Sequence, residues 1–165
     1  MKKSKNIFLI GLMGSGKTTI GRLLSKKLDK DFYDSDYVVE EKTGVKVPLI
    51  FEYEGEVGFR KREENVLKEL VNLKNIVLAT GGGVILSRNN RKLLKNNGYV
   101  IYLKSDCVDL AARMENDKSR PLLQKGDLKE TLDNLFKYRD PLYVDISDQI
   151  IETKNKRASD ITSEI

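Results

Sequence analysis

Short apolar runs alternate with longer amphipathic segments along this chain, the rhythm of an α/β domain built on a parallel sheet. Ile7-Phe8-Leu9-Ile10 predicts a first strand, and Ile20, Leu23, Leu24 and Leu28 mark the apolar face of a helix over residues 18–28. Asp31-Phe32-Tyr33 predicts a short second strand ending at Asp34, and Ile76-Val77-Leu78-Ala79 a third that runs into Thr80-Gly81-Gly82-Gly83. Ser87 can cap a helix that Gly98 terminates. Residues 99–103 read as a fourth strand, with Ser105 as the cap of the next helix; residues 149–151 read as a fifth, and 160–165 as a terminal helix. Two segments fit neither sheet nor covering helix. Residues 36–70 predict a helical insertion between the second and third strands. Residues 114–124, polar and broken by Pro121, predict a mobile lid or a plain surface loop. Neither repeats nor a linker interrupt the pattern, so residues 1–165 are expected to form a single domain.

In open parallel sheets, ligands bind at the carboxyl ends of the strands. Residues 11–18, Asp34-Ser35-Asp36 and Gly81-Gly82-Gly83 each follow a strand directly, so all three should line one crevice.

Composition narrows the chemistry. The chain has 165 residues, enough to bury a core of its own. It has no apolar run of about 18 residues, so no membrane span is expected. The apolar stretch behind Met1-Lys2-Lys3-Ser4-Lys5 is too short for a signal peptide. A single cysteine, Cys107, excludes an internal disulfide, fits a reducing cytosol and reads as a small filler at a strand end. Histidine is absent, so acid–base work falls to carboxylates, lysine or tyrosine. The net charge of +5 is spread among Asp and Glu with no basic stripe, which argues against a nucleic-acid partner and favours small anionic ligands.

Gly11-Leu12-Met13-Gly14-Ser15-Gly16-Lys17-Thr18 matches G-x-x-x-x-G-K-[ST] directly behind a predicted strand. Its backbone N–H groups can turn toward phosphate oxygens, Lys17 supplies a charge for the β- and γ-phosphates, and Thr18 a hydroxyl for Mg²⁺. Asp34 and Asp36 can start a turn and cap a helix. Beside a phosphate loop, one can instead hold Mg²⁺ through water while the other faces an acceptor hydroxyl. Arg60 and Glu63 lie three apart on a helix face. They form either a surface ion pair or a guanidinium held ready to fork onto a substrate carboxylate. Gly81-Gly82-Gly83 is either a flexible turn or a strip of backbone open to a ligand. Arg120 could meet the transferring phosphate. Arg139 could do no more than favour a helix dipole near a C-terminus.

Together these residues resemble the shikimate kinases over nearly the whole chain. The shared pattern joins the phosphate loop, Asp34-x-Asp36, Gly55-Glu56-x-x-Phe59-Arg60-x-x-Glu63, Thr80-Gly81-Gly82-Gly83, Arg120-Pro121-Leu122-Leu123 and Tyr138-Arg139-x-Pro141-x-Tyr143. The resemblance implies a three-layer P-loop kinase with a five-stranded parallel core, a mobile lid and a helical substrate-binding insertion. It implies transfer of the ATP γ-phosphate to the 3-hydroxyl of shikimate by a cytosolic, Mg²⁺-dependent monomer. It further implies that Gly14, Ser15, Gly16, Lys17, Thr18 and Thr19 hold ATP, with Arg113 near adenine, Lys156 beside it and Arg120 on the phosphates. Thr18 and Asp34 would serve Mg²⁺, and Lys17, Asp36 and Arg120 the reaction. Asp36, Arg60, Glu63, Gly81, Gly82, Gly83 and Arg139 would hold shikimate. The chain departs from the family at Ala158, where members often carry a proline. Gluconate kinase and adenylate kinase share the loop and lid but are not expected to combine Phe59-Arg60-x-x-Glu63 with residues 80–83. A nucleotide-gated binding module is the alternative outside the enzymes.

Overall fold

The structure, a computed structural model, describes residues 5–114 and 128–165. Strands β1 (Ile7–Ile10), β2 (Asp31–Asp34), β3 (Ile76–Ala79), β4 (Tyr99–Lys104) and β5 (Gln149–Glu152) form one sheet in the order β2-β3-β1-β4-β5. Every pairing is parallel. β1 lies in the middle, with Ile7 opposite Val77 on one side and Tyr99 on the other. Both faces are covered, which explains why β1 and β3 read as unbroken apolar runs.

The two faces follow the two-residue alternation of a strand. Ile7, Leu9, Val77 and Ile101 pack under Ile20 and Leu24 of α1 (Lys17–Leu28) and Ile161 of α7 (Ala158–Glu164). Phe8, Ile10, Leu78 and Tyr102 face α3 (Val47–Leu70), α4 (Arg88–Asn97), α5 (Cys107–Met114) and α6 (Leu128–Ile146). The result is three layers. Phe8 is fully buried, and truncating such a ring to alanine typically costs about 3–5 kcal/mol.

Several expected boundaries move. The apolar face of α1 is narrower than its sequence suggests, because Leu23 and Leu28 are exposed. Ser87 does cap α4, accepting a hydrogen bond from Asn90 N at 3.2 Å. Ser105 does not cap α5; its hydroxyl pairs with that of Thr153 at 2.6 Å, and Asp106 takes the N–H of Val108 at 2.7 Å instead. The helix begins at Cys107, so Asp106 and not Ser105 stands at the capping position. The insertion resolves into α2 (Ser35–Thr43) and α3, and α3 bends at Gly55, whose φ of 71° is not helical. The triple glycine is not a loose turn: residues 82–86 form a 3₁₀ helix. Residue 114 of the expected lid ends α5; the remainder, with Arg120, lies outside the described residues.

Candidate active site

The three segments expected at one crevice do meet there. Between β1 and α1, Gly11, Gly14 and Gly16 all have positive φ. Gly16 stands before α1 at φ 95°, a conformation in which a side chain would be strained. The loop thus runs directly into a helix N-terminus, the arrangement that receives phosphate. Ser15 is 2% exposed, and its hydroxyl has no hydrogen-bond partner. Lys17 folds back over the loop, donating to Gly11 O at 2.6 Å and Leu12 O at 2.9 Å. Gly14, Ser15, Gly16, Lys17, Thr18 and Thr19 line a cavity of about 430 Å³.

At the end of β2 the two aspartates divide their work. Asp34 is the cap of α2: its Oδ1 accepts from Asp36 N at 3.0 Å and Tyr37 N at 3.2 Å. Its Oδ2 accepts from Thr18 Oγ1 at 2.8 Å. Asp36, read as the possible cap, is not one, and its carboxylate lines the crevice.

A second cavity, of about 530 Å³, opens between α2, α3 and α6. Met13, Phe51 and Phe59 are part of its apolar wall; Arg60, Arg139 and Lys46 bring positive charge to it, and Asp34, Asp36, Glu40 and Glu63 negative. Arg60 Nη1 donates to Glu63 Oε1 at 3.0 Å and Nη2 to Glu56 at 3.3 Å. Glu63 is 1% exposed, so this is a buried pair and not a surface one. Burial pushes the Glu63 carboxyl up to about 7 against the pull of Arg60, and the nearby Asp36 charge adds to the rise. Arg139 is 2% exposed in the body of α6, seven residues before its end, so the helix-dipole reading fails. The helix continues through Pro141, with Tyr143 and Ile146 anchored in the core beyond it. Nε and Nη1 of Arg139 are buried without a hydrogen-bond partner.

The glycines between the cavities are needed for close approach. A Cβ on Gly81 would lie 2.6 Å from Asp36 Oδ1 and 2.9 Å from Glu63 Oε2. One on Gly83 would clash with the Arg60 guanidinium, and one on Gly82 would crowd Met13 N at 3.2 Å, with Arg139 Nη1 at an ordinary 3.6 Å. Asp34, Asp36, Gly81 and Gly82 line both cavities, which therefore meet at Asp36.

The sequence model of the family described as shikimate kinase matches residues 13–165. A shikimate kinase of Thiobacillus denitrificans is 51% identical over 162 residues, covering 98% of this chain and 88% of the relative. The chain belongs to the shikimate kinase family. One from Nitrosospira multiformis is 55% identical over 148 residues, covering 90% of this chain and 76% of the relative. The solved shikimate kinase of Acinetobacter baumannii, in complex with shikimate, superposes with a TM-score of 0.97 at 47% identity. That match covers 99% of this chain and 91% of the other. A gluconokinase of Sinorhizobium meliloti, at 14% identity and a TM-score of 0.62, shares the fold alone. As a member of the shikimate kinase family the chain is an ATP-dependent kinase acting on a hydroxyl group.

In this kinase the far end of the first cavity is built by Arg113, Thr153, Lys156 and Ala158. Arg113 donates to Gly14 O at 3.0 Å, and Lys156 bridges Glu164 at 3.0 Å. Ala158 opens α7. Cys107 is not at a strand end; it opens α5, its thiol turned to Leu132 O at 3.8 Å and pushed up to about 11 by burial. Three contributors had no assigned part in the sequence reading. Ser35 Oγ accepts from Gly81 N at 2.9 Å, Tyr143 OH donates to Gly82 O, and Met114 fills the space beside Gly14. Only Tyr143 left a signal: it lies four residues after Arg139, on the same helix face.

Proposed function

We propose that this chain transfers the ATP γ-phosphate to the 3-hydroxyl of shikimate, giving shikimate 3-phosphate and ADP. The observation that carries the reading is the meeting of two cavities at Asp36, one framed by a phosphate loop and the other by the buried Arg139 and the partly buried Arg60. Shikimate offers one carboxylate and three hydroxyls. Arg60 and Arg139 match the carboxylate, with Glu63 holding Arg60 in place. The ring would rest on the Phe51 and Phe59 wall, with the backbone of residues Gly81, Gly82 and Gly83 against its hydroxyls. Asp36 would orient the acceptor hydroxyl and take its proton. Gly14, Ser15, Gly16, Lys17, Thr18 and Thr19 would hold the ATP phosphates, with the unpartnered Ser15 hydroxyl available to an anion. Arg113 and Lys156 would border the adenine. Arg120 keeps its proposed place on the phosphates, outside the described residues.

The residues present fit Mg²⁺ of the kind that travels with ATP. Thr18 and Asp34 are joined at 2.8 Å. Among the described residues no cluster of three or more acidic or thiol groups could form a cage of its own. Such an ion would rest on the Thr18 hydroxyl, the phosphates and water held by Asp34, neutralising phosphate charge. Residence in the cytosol and a monomeric state belong to the same proposal. Among the described residues, no helix is long and apolar enough to cross a membrane.

The test is ADP release from the intact chain with shikimate, gluconate and AMP. Shikimate is expected to be turned over strongly and the others poorly. Turnover of gluconate or AMP with none of shikimate would overturn the proposal.

A further inference from the structure

Glu63 is 1% exposed, and only one of its two oxygens is used: Oε1 accepts from Arg60, while Oε2 has no hydrogen-bond partner. The point where Gly81 would carry a Cβ is 2.9 Å from that oxygen and 2.6 Å from Asp36 Oδ1, so two carboxyl groups converge on one glycine. The groups facing Glu63 are Arg60 on its own helix, Asp36 on α2, and Arg139 and Tyr143 on α6. Glu56 lies on the outer side of Arg60. Burial already raises the proton affinity of the Glu63 carboxyl, and Asp36 raises it further against the two arginines.

Of the charged groups lining this cavity, Lys46 and Glu40 offset each other at 3.9 Å. Arg60 and Arg139 bring two further positive charges, and Asp34, Asp36 and an ionised Glu63 three negative ones. The lining thus holds no positive surplus before any substrate arrives. A substrate carboxylate adds another negative charge in a cavity walled by Met13, Phe51 and Phe59. Unbalanced charge in such surroundings is costly, and a titratable group there neutralises.

We infer that Glu63 takes up a proton when the anionic substrate binds, so that the two arginines close on the substrate beside a neutral Glu63. This rests on the reading that shikimate is the substrate and that its carboxylate lies between Arg60 and Arg139. Neutral Glu63 still accepts from Arg60 through its carbonyl oxygen, so the guanidinium stays oriented while its charge is released to the substrate. The proton on Oε2 gives that oxygen a hydrogen to donate. Glu63 is thus a positioning residue whose charge follows occupancy. The linkage has a definite sign. Below a pH of about 7 the free protein already holds the proton and affinity is flat. Above it, binding must recruit the proton, and Kd rises by up to about tenfold per pH unit.

The experiment is calorimetric titration of the intact protein with shikimate at about pH 8 in buffers of different ionisation enthalpy. The heat is expected to depend on the buffer, with an uptake of roughly half to one proton per site. Glu63→Gln should bind without that dependence, with a Kd flat across pH. An infrared difference spectrum of the wild type should gain the carbonyl band of a protonated carboxyl group on binding, and this decides the matter if the variant does not fold. Buffer-independent heat in the wild type, or equal uptake in Glu63→Gln, would overturn the inference and leave the substrate reading intact. Absence of any shikimate binding or turnover would overturn the substrate reading itself, and the inference with it.

Discussion

Arg60 and Arg139 approach the same cavity from different helices, and both are mostly or fully withdrawn from water. Their value lies in shape as well as charge. A guanidinium offers two parallel donors in a rigid fork, whereas lysine offers a mobile point charge. Arg60→Lys is therefore expected to weaken shikimate binding. Hydrogen bonds to charged groups are worth about 1.5–3 kcal/mol, so Kd should rise roughly 10- to 150-fold in a binding titration, with nucleotide affinity nearly unchanged. Lys17 belongs to the opposite cavity, and its charge matters most when the phosphoryl group is in flight. Lys17→Ala should lower kcat by about 10²-fold or more in a steady-state assay while circular dichroism remains that of the folded protein. Glu63 gives a stability prediction. Its folded-state proton affinity exceeds that of the unfolded chain, so its contribution is fully present below about pH 4.5 and is lost as pH rises through about 7. Urea unfolding of wild type and Glu63→Gln should therefore diverge across that window. The substrate-free wild type should lose about 3 kcal/mol relative to the variant between its two ends.

At the scale of elements, helix ends account for much of the site. Because Asp34 is the cap of α2, its second oxygen is directed to Thr18 and Asp36 is released to the crevice. The bend of α3 at Gly55 precedes the turn that carries Arg60 and Glu63. At α7 the departure from the family pattern is conformationally mild. Ala158 occupies the first helical position, where the backbone N–H is unused by the helix and proline is well accepted. The preceding residue, Arg157, has φ −80° and ψ 157°, the extended conformation that a residue before proline adopts. Ala158→Pro should consequently stabilise the protein by about 0.4–1 kcal/mol through the unfolded chain, measured as an upward shift in Tm.

For the molecule as a whole, β1 lies between β3 and β4, so the chain leaves the sheet centre in both directions and opens a crevice at its carboxyl edge. A ligand bound there bridges the core and the α2–α3 insertion and should raise global stability. At about 100 times Kd, shikimate should add about 2.7 kcal/mol, read as a higher Tm, with no such shift from gluconate. Much of this was legible in the chain itself. The central strands β1 and β3 were readable because a parallel sheet buried on both faces demands unbroken apolar runs. The phosphate loop was readable because its backbone conformations demand glycine at fixed spacing. Asp36, Arg60, Glu63 and Arg139 stood out by type and order. Whether they form a site did not follow from that. Arg60 with Glu63 read equally well as a surface pair, and Arg139 as a helix-end cation, since local spacing is the same in water and in a core. Only the packing of α2, α3 and α6 around Gly81, Gly82 and Gly83 removes these groups from solvent. Burial is a property of elements distant in sequence. It turns an ion pair into a clamp and moves a carboxyl group toward neutrality.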